Sequence, residues 1–411
     1  MDLINILSKT LNDPQISLLS KVTEISTDQA IPLYLVGGAV RDILLNRQIQ
    51  DLDLVTEGNA EKFAYLVAKK LSGSVKSHSQ FSTATVRINT IELDFITARS
   101  EHYPAPGHLP VITFGNIADD LARRDFTVNA MAIRLSDLYN CEIIDLHNGL
   151  QDLNNGVIRT LHPKSFSDDA TRILRALRYE QRLGFKLDHD TKISLLTNLQ
   201  MISTIGGERL MKEIQKWFGE YNTYQIFERA DELGVLRNIH KSLDGLKYRL
   251  GSIDLESLVM PLDEKIWLGL MFQGLSPVEN QAVSDRLKLS RNQVRLLSEI
   301  TDLYSVDDSM STPELSAYNI YSILSGKSIH SITAYSLITK NTTAKEHASK
   351  FLHELRHIKP HLTGRDLITL GIPNGPSIGN ILESLLHARL DGVVKTRNDE
   401  LEMVSQRQMF S

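Results

Sequence analysis

Two short stretches near the N-terminus decide how this chain is expected to fold. Residues 35–42 read Leu-Val-Gly-Gly-Ala-Val-Arg-Asp, and residues 51–55 read Asp-Leu-Asp-Leu-Val. The first stretch predicts an apolar strand that ends in two glycines and continues into a helix. Glycines at such a turn let the backbone approach a phosphate, and the helix N-terminus offers free N–H groups to an anion. We therefore expect Gly37, Gly38 and Arg41 to bind a phosphate group, with Arg41 adding charge-assisted hydrogen bonds.

The second stretch predicts two carboxylates on one face of a strand. Positions i and i+2 of a strand point the same way, so Asp51 and Asp53 are expected to project together. Two adjacent carboxylates repel each other unless a cation lies between them, and hard oxygen ligands beside a triphosphate suit Mg²⁺. A glycine turn alone or an Asp-x-Asp alone is typical of a plain turn or a solvated strand end. Their combination favours a magnesium site, and Asp94 is the candidate for a third carboxylate.

Composition narrows the class of protein. The chain has 411 residues, of which 42% are hydrophobic and 23% charged, and these values predict a globular protein of several domains. The single cysteine, Cys141, excludes an intramolecular disulfide and fits a reducing compartment. We expect no signal peptide and no membrane span, and therefore a cytoplasmic protein. The net charge of -5 argues weakly against nucleic-acid binding, although one local basic patch is sufficient for it.

The hydrophobic pattern changes along the chain. One or two helices are expected before residue 28, and helical patterns dominate after about residue 165. Between them, β-rich runs alternate with helical ones. These runs are Leu33–Val36, Asp51–Val55, Ala84–Ile88, Ile91–Thr97 and Glu142–Asp145. The stretch Ser100–Asn116, which contains three prolines and two glycines, is predicted to be a mobile connecting loop.

These motifs resemble those of the polymerase β-type nucleotidyltransferases, and more closely those of class II tRNA nucleotidyltransferases (CCA-adding enzymes) and bacterial poly(A) polymerases. The family's first motif is Gly-Gly-x-x-Arg-Asp followed by Asp-x-Asp, and both parts are present. Residues 78–85 (His-Ser-Gln-Phe-Ser-Thr-Ala-Thr) and residues 120–130 (Asp-Leu-Ala-Arg-Arg-Asp-Phe-Thr-Val-Asn-Ala) resemble two further family segments. The resemblance implies that Arg124 contacts the bound nucleotide and that Asp125 and Asn129 organise the ribose site.

A predicted helix that begins with a cap at Ser167 or Asp168 presents charged side chains at three- and four-residue steps, so they share one face. These are Asp169, Arg172, Arg175, Arg178 and Arg182. Taken alone, the pattern is typical of a solvated, salt-bridged helix. The family motif is Glu-Asp-x-x-Arg, and the chain departs from it only in having Asp168 at the first position. The resemblance implies that Asp169 and Arg172 imitate a Watson–Crick edge and select cytosine or adenine. It also implies that Arg175 and Arg178 lie at the nucleotide site.

The resemblance implies an α+β architecture: a polymerase β-like head with a small mixed sheet (residues 1–155), followed by an all-helical neck (156–225), body (226–300) and tRNA-holding tail (301–411). It implies Mg²⁺-dependent, template-independent addition of C and/or A from CTP and ATP to the 3′ end of tRNA, with release of pyrophosphate. Arg209 is expected to be structural. The alternatives are an enzyme that adds only CC or only A, a poly(A) polymerase, and an inactive RNA-binding module. The sequence indicates neither the oligomeric state nor which tail residues contact tRNA.

Overall fold

The protein forms two compact units. The computed structural model describes residues 3–49, 51–78, 82–105, 108, 110–136, 141–254, 258 and 260–408. Unit 1 contains residues 1–213 and 232–239, and unit 2 contains residues 214–231 and 240–411. The boundary at residue 213 lies inside the predicted neck, and the finer division into head, neck, body and tail stays a prediction. Residues 79–81 of the predicted segment 78–85 lie outside the described residues.

Strands occur in the first half of the described chain, and helices occur throughout it. The strands are β1 (Leu33–Val36), β2 (Asp53–Thr56), β3 (Ser74–His78), β4 (Thr83–Ile88), β5 (Ile91–Thr97), β6 (Arg99–His102), β7 (Val111–Phe114), β8 (Met131–Arg134), β9 (Ile143–Asp145), β10 (Val157–Ile158) and β11 (Lys186–Leu187). The helices up to residue 239 are α1 (Leu3–Thr10), α2 (Asp13–Asp28), α3 (Gly38–Leu44), α4 (Ala60–Leu71), α5 (Ile117–Ala122), α6 (Gly149–Asn155), α7 (Ser165–Asp168), α8 (Thr171–Leu183), α9 (His189–Thr197), α10 (Gly207–Phe218), α11 (Thr223–Glu232) and α12 (Val235–Ile239).

The remaining described chain consists of helices and connecting segments, with no strand. Its helices are α13 (Leu246–Leu250), α14 (Glu264–Met271), α15 (Pro277–Leu287), α16 (Arg291–Ser305), α17 (Asp307–Met310), α18 (Ala317–Leu324), α19 (Ile329–Ile338), α20 (Thr342–His353), α21 (Gly364–Thr369), α22 (Pro376–Leu390) and α23 (Arg397–Gln408). Capping boxes start several of them; the Ser276 hydroxyl, for example, accepts from the Glu279 N–H while the Glu279 carboxylate accepts from the Ser276 N–H. Among the described residues, no helix is long and apolar enough to cross a bilayer.

One mixed sheet organises unit 1. Its strand order is β3-β4-β5-β2-β1-β8-β9. The β2–β5 pair is parallel, and the other neighbours in this sheet are antiparallel. All four residues of β1 are buried, and so are most of those in β2. The α+β class and the helical C-terminal half are therefore as predicted.

Most predicted elements are confirmed, and two expectations are wrong. β1 and β5 have the predicted bounds, and two helices precede residue 28. The stretch Ser100–Asn116 is not a plain loop, because β6 and β7 pair in it as an antiparallel hairpin in which Ser100 is opposite Thr113. Asp51 does not lie on a strand, since β2 begins at Asp53. Prolines and glycines suggested a loop at the hairpin, but they lie outside both paired segments.

Candidate active site

The acidic side of the site lies where β2 and β5 run in parallel. Asp53 is the first residue of β2, and its Cα is in register with that of Asp94 in β5. Burial raises the pKa of Asp53; the cation Arg124 opposes this effect, and the negative charges of Asp94 and Asp51 reinforce it. Asp51 itself is exposed. Both neighbouring carboxylates are therefore close enough to disfavour the charged form of Asp53.

These carboxylates provide the hard oxygen ligands that Mg²⁺ prefers. A cation beside Asp53 would relieve the repulsion that raises its pKa. Within the described residues, no three potential ligands are already grouped closely enough to hold an ion. Asp94 Oδ1 also accepts a hydrogen bond of 2.5 Å from Thr85 Oγ1. The donor chemistry thus fits a metal at Asp51 and Asp53, whereas Asp94 already has a protein partner.

The glycine turn makes room for the side chain of Arg124. Gly37 has φ of 68°, and a Cβ built on it would lie 2.5 Å from Arg124 Nη1. A side chain at this position would be strained by the left-handed backbone and would displace the end of the Arg124 side chain. The Gly37 N–H donates to the Met131 carbonyl over 3.2 Å. The Gly37 N–H thus already has a partner, and phosphate binding by Gly37 stays a prediction, while Gly38 lines the cavity described below.

Arg41 is buried, contrary to the simple picture of a side chain reaching for phosphate. It is 2% exposed. Its Nε and Nη2 each donate to a carboxylate oxygen of Asp42 over 2.9 Å, and Nη1 donates to Asn129 Oδ1 over 2.6 Å. These bonds place Arg41 at the cavity wall with most of its donors engaged. A direct contact with phosphate stays a prediction for this residue.

A buried carboxylate holds two consecutive arginines. The Asp120 side chain is 0% exposed, and it accepts hydrogen bonds of 2.6–3.2 Å from the Nε and Nη2 groups of both Arg123 and Arg124. Burial alone would raise the pKa of Asp120, but the two guanidinium groups outweigh it and lower that pKa. Asp120 on one side and Gly37 on the other thus position Arg124 close enough to Asp53 to affect its charge.

Asp125 and Asn129 form a second buried network. Asp125 Oδ1 accepts from the Phe126 N–H over 2.9 Å and from Asn129 Nδ2 over 3.0 Å, while Oδ2 accepts from Arg175 Nε over 2.7 Å. Burial acts to raise the pKa of Asp125, but Arg175 and the bond from Asn129 lower it to about 2. Through Asn129 the network continues to Arg41. Both residues therefore have protein partners at the predicted ribose site.

Tyr179 of α8 is surrounded by arginines. The guanidinium carbons of Arg41, Arg175 and Arg178 lie 5.2, 5.6 and 4.8 Å from the centroid of its ring. Distances of this size are typical of cation–π contacts. The ring also packs edge-on against Phe126, with centroids 5.9 Å apart. Tyr179 therefore contacts side chains from three parts of the chain: Arg41 after the glycine turn, Phe126 in residues 120–130, and Arg175 and Arg178 of its own helix.

The predicted base-selecting helix begins later than expected. α7 ends at Asp168, Asp169 is extended with φ of -138° and ψ of 98°, and α8 begins at Thr171. Asp169 is therefore not one helical turn from Arg172 but precedes the helix, and the predicted cap at Ser167 or Asp168 is wrong. Asp169 Oδ1 accepts from the Thr171 N–H over 3.0 Å and from Thr171 Oγ1 over 2.7 Å, while the N-cap position itself is Ala170.

Arg172 and Asp169, the two residues predicted to select the base, each contact other residues of the protein. Arg172 is buried and donates from Nη1 to Ser165 Oγ over 2.7 Å and from Nη2 to the Arg123 carbonyl over 2.8 Å. Asp169 Oδ1 accepts from Arg209 Nη2 over 2.9 Å. The role of the pair in base selection stays a prediction, and the structure shows both side chains held by neighbours.

The hairpin β6–β7 also reaches the site. Glu101 Oε1 accepts from Arg123 Nη1 over 3.1 Å, and Glu101 Oε2 accepts from Tyr103 Oη over 3.1 Å. Burial and Glu101 raise the pKa of Tyr103 to about 12, and Arg172 and Asp169 are near enough to affect it electrostatically. The predicted loop therefore contributes side chains to the site.

One cavity of about 660 Å³ brings most predicted site residues together. It is lined by Gly38, Arg41, Asp51, Asp53, Arg124, Asp125, Asn129, Asp169, Arg172, Arg175, Arg178 and Arg182. Gly37 and Asp94 lie behind this wall rather than in it. Acidic side chains of the sheet and basic side chains of α8 therefore line a common space, which suits a metal-bound polyanion.

The sequence predicted no role for Glu101, Tyr103 and Tyr179, which line this cavity. It predicted none for Asp120, which pairs with two of the arginines, and only a structural role for Arg209. A signal was present for Asp120, because an acid three and four residues before two arginines can pair with both on a helix. The contacts of Glu101 with Arg123, of Tyr179 with Arg41 and of Arg209 with Asp169 join residues far apart in the chain, and no local pattern predicts them.

Comparison with known proteins identifies the family to which this chain belongs. Residues 33–159 match the family described as poly A polymerase head domain, and residues 184–246 match the probable RNA and SrmB-binding site of polymerase A. An A-adding tRNA nucleotidyltransferase of Halalkalibacterium halodurans is 32% identical over 100% of this chain and 96% of its own length. The chain belongs to the family of tRNA nucleotidyltransferases and poly(A) polymerases. The resemblance inferred from the glycine, Asp-x-Asp and double-arginine motifs is thereby confirmed.

Other family members support the same assignment. An A-adding tRNA nucleotidyltransferase of Geobacter sulfurreducens is 31% identical over 98% of this chain, which spans 48% of that relative's length. Among solved structures, a CCA-adding enzyme without ligand has a TM-score of 0.78 at 28% identity, with 99% of each chain covered. The Thermotoga maritima CCA-adding enzyme complexed with tRNA has a TM-score of 0.75 at 28% identity, also with 99% of each chain covered.

Proposed function

We propose that this protein transfers nucleotides to the 3′ end of tRNA without a template, and that it is an A-adding enzyme. The observation that carries the proposal is the single cavity that faces Asp51 and Asp53 on one side and the arginines of α8 on the other. In the reaction, the terminal 3′-oxygen attacks the α-phosphorus of ATP, the bond to pyrophosphate breaks, and pyrophosphate leaves.

The proposed metal is Mg²⁺, held by Asp51 and Asp53 with Asp94 as a third carboxylate. When bound, Mg²⁺ supplies activation of the attacking hydroxyl and neutralisation of the leaving pyrophosphate. Arg124 is already held by Asp120, so its position beside the triphosphate requires little reorganisation. Arg175 and Arg178 add positive charge on the opposite wall.

Base selection is proposed for Asp169 and Arg172. A carboxylate accepts from the exocyclic amine of adenine or cytosine, whereas uracil and guanine present a carbonyl oxygen there and are rejected. Because Thr171 and Arg209 hold Asp169, its direction is set before a nucleotide arrives. We expect Asp169→Ala to retain transfer but admit UTP and GTP, and Asp51→Ala to abolish transfer.

The restriction to adenine rests on the comparisons. Three A-adding relatives are 31%, 32% and 42% identical, the last over 50% of this chain. The CCA-adding relatives are 25–27% identical, and a CC-adding relative of Deinococcus radiodurans is 28% identical. CCA-adding enzymes have also been solved with ATP and with CTP, which supports the full CCA activity as the second candidate. A reaction on tRNA also supports the cytoplasm as the proposed compartment.

One assay tests these possibilities. The protein is incubated with Mg²⁺ and tRNAs that end at the discriminator base, at C or at CC, with ATP and CTP supplied singly and together. The A-adding proposal expects one A on the CC end and no growth of the other ends with CTP. Growth of all three ends to CCA would assign the full activity. Long A tracts would assign poly(A) synthesis, and growth of no RNA would assign an inactive binding module.

A further inference from the structure

Two tyrosines line the cavity of unit 1, and their rings differ in what they contact. They are Tyr103, which directly follows β6, and Tyr179 of α8. Three guanidinium groups surround the ring of Tyr179, and Phe126 packs against it. Within the described residues, the Tyr103 ring makes no cation–π contact and no contact with another aromatic ring. Because Tyr103 is only half-buried and lines the cavity, its ring is accessible to a ligand.

The hydroxyl group of Tyr103 holds its ring in place. It donates to Glu101 Oε2 over 3.1 Å. The Glu101 side chain is 9% exposed and pairs with Arg99 and Arg123, each over 3.1 Å. The ring is thus attached to the hairpin at one end and hydrogen-bonded to a well-held carboxylate at the other. Its orientation is set before a ligand binds, which lowers the entropy cost of binding.

Hydrogen bonds connect Tyr103 with the residues proposed to select the base. Beyond the bond from Tyr103, Glu101 accepts from Arg123 Nη1 over 3.1 Å, and the Arg123 carbonyl accepts from Arg172 Nη2 over 2.8 Å. The charges of Arg172 and Asp169 are also near enough to affect the pKa of the Tyr103 hydroxyl. Tyr103 therefore belongs to the end of the cavity at which base selection is proposed.

Hydrogen bonding by Asp169 and Arg172 leaves one choice between bases open. Adenine and cytosine both present an amino group to a carboxylate, so this contact rejects uracil and guanine without separating the two accepted bases. The two bases differ in area, because adenine has two fused rings and cytosine has one. An aromatic ring that stacks on the base covers more of adenine than of cytosine and binds it more strongly.

We propose that Tyr103 is a specificity-determining residue whose ring stacks on the base of the incoming nucleotide and favours adenine over cytosine. This inference rests on the proposed transfer of nucleotides and adds to it a contact with the base. Tyr103 takes no part in making or breaking bonds. Because the stacking is equally present when the nucleotide binds and in the transition state, its loss changes KM rather than kcat.

Tyr103→Trp makes the stacking visible by fluorescence. The two native tryptophans, Trp217 and Trp267, lie in unit 2 and are 0% exposed, so the wild type supplies a constant baseline. We expect ATP to quench the added fluorescence of Tyr103→Trp, and inorganic tripolyphosphate, which has no base, to leave it unchanged. Tyr65→Trp is the matched control, because Tyr65 is 57% exposed on α4 and does not line the cavity.

Two further variants separate the ring from the hydroxyl group. Tyr103→Leu removes the ring and should raise the KM for ATP on a tRNA ending in CC about tenfold, with kcat little changed. The dissociation constant for CTP, measured by calorimetry, should rise only about threefold, since cytosine loses less stacking area. Tyr103→Phe keeps the ring and should keep the KM within about threefold of the wild type. Tyr65→Leu is the control and should leave the KM unchanged.

Failure of this inference and failure of the proposed function give different results. A thermal melt shows which variants fold, and either folded Tyr103→Trp or folded Tyr103→Leu decides. If Tyr103→Trp binds ATP in calorimetry without quenching, or if Tyr103→Leu lowers kcat and leaves the KM for ATP unchanged, the stacking role is overturned. Addition of A by the wild type would then leave the proposed function standing. Quenching by ATP without transfer to any RNA would support the stacking and remove the function.

Discussion

Arg209 Nη2 of α10 lies 2.9 Å from Asp169 Oδ1 and donates a hydrogen bond to it. The same oxygen accepts from the N–H and the hydroxyl of Thr171, so contacts from two helices hold this carboxylate. A selecting group must be oriented before its ligand binds, because a mobile carboxylate could turn away from the wrong base and accept it. Arg209 was expected to be structural, and its contact connects it to the proposed base selection.

Arg209→Gln should therefore reduce fidelity more than speed. Loss of a charge-assisted hydrogen bond leaves Asp169 freer to turn, and we expect UTP and GTP to be used about tenfold more often relative to ATP. The measurement is competitive incorporation on a tRNA ending in CC. Lys212→Gln is the control, since Lys212 is exposed on the same helix. Unchanged discrimination in Arg209→Gln would show that Asp169 needs no such support.

Asp120→Asn tests the pairing of Asp120 with Arg123 and Arg124, here called the double-arginine clamp. The amide keeps the size of the side chain but loses the charge that holds Arg123 and Arg124, so Arg124 can shift from its place beside Asp53. We expect kcat/KM for ATP to fall on the order of 100-fold. Asp119→Asn is the matched control, because Asp119 caps α5 and takes no part in the clamp. Equal losses of kcat/KM in the two variants would mean that the effect comes from disturbing α5 and not from the loss of the pairing with Arg123 and Arg124.

Asp94→Asn tests the third carboxylate. If Asp94 helps to hold the metal beside Asp53, its loss should lower kcat by about 100-fold and raise the Mg²⁺ concentration required for half-maximal rate. The control is Glu92→Gln, two residues earlier on the same strand, where the carboxylate pairs with Arg87 at the surface over 2.8 Å. A fall in rate without any change in the Mg²⁺ requirement would assign Asp94 a role other than metal binding.

Asp125 should make unfolding depend on pH in the acid range. Its pKa lies at about 2 in the folded protein against an ordinary 3.8, since Arg175 and Asn129 outweigh the effect of burial. A lowered pKa stabilises the fold at pH values above 3.8, and this stabilisation, about 2 kcal/mol, is lost as the pH falls towards 2. Urea unfolding of the wild type and Asp125→Asn at pH 7, 5 and 3 measures it. The difference in the free energy of unfolding between wild type and Asp125→Asn should stay constant from pH 7 to 5 and shrink by about 1 kcal/mol at pH 3. A difference that does not change with pH would contradict the lowered pKa of Asp125.

Local patterns predicted five of the seven strands of the mixed sheet, but not β3 or β8. The alternation of residues in β5 and the buried run of β1 gave both strands their bounds, and the two-residue spacing brought Asp51 and Asp53 to one cavity. The strand bounds follow from the period of a strand, whereas Asp51 precedes β2 and lines the cavity from outside the strand. The family motifs then added the arginines of α8.

Contacts between distant segments were not predictable in the same way. Arg41 could be seen to follow a glycine turn, but its bond to Asn129 joins two motifs that only the folded sheet brings together. The hairpin β6–β7 was missed because its strands are short and prolines lie between them. Helical spacing predicts Asp169 on a helix, although its backbone is extended and its side chain accepts from the Thr171 N–H, a local bond that competes with helix formation.

The Tyr179 ring has a consequence for the electrostatic field of the three arginines around it. Arg41 and Arg175 are already paired with Asp42 and Asp125, which cancel part of their charge. The Tyr179 ring attracts the three guanidinium groups through its electron-rich face without adding a further carboxylate. The guanidinium groups can thus be assembled in advance while their field remains directed at an arriving polyphosphate, which an acidic residue in place of Tyr179 would weaken.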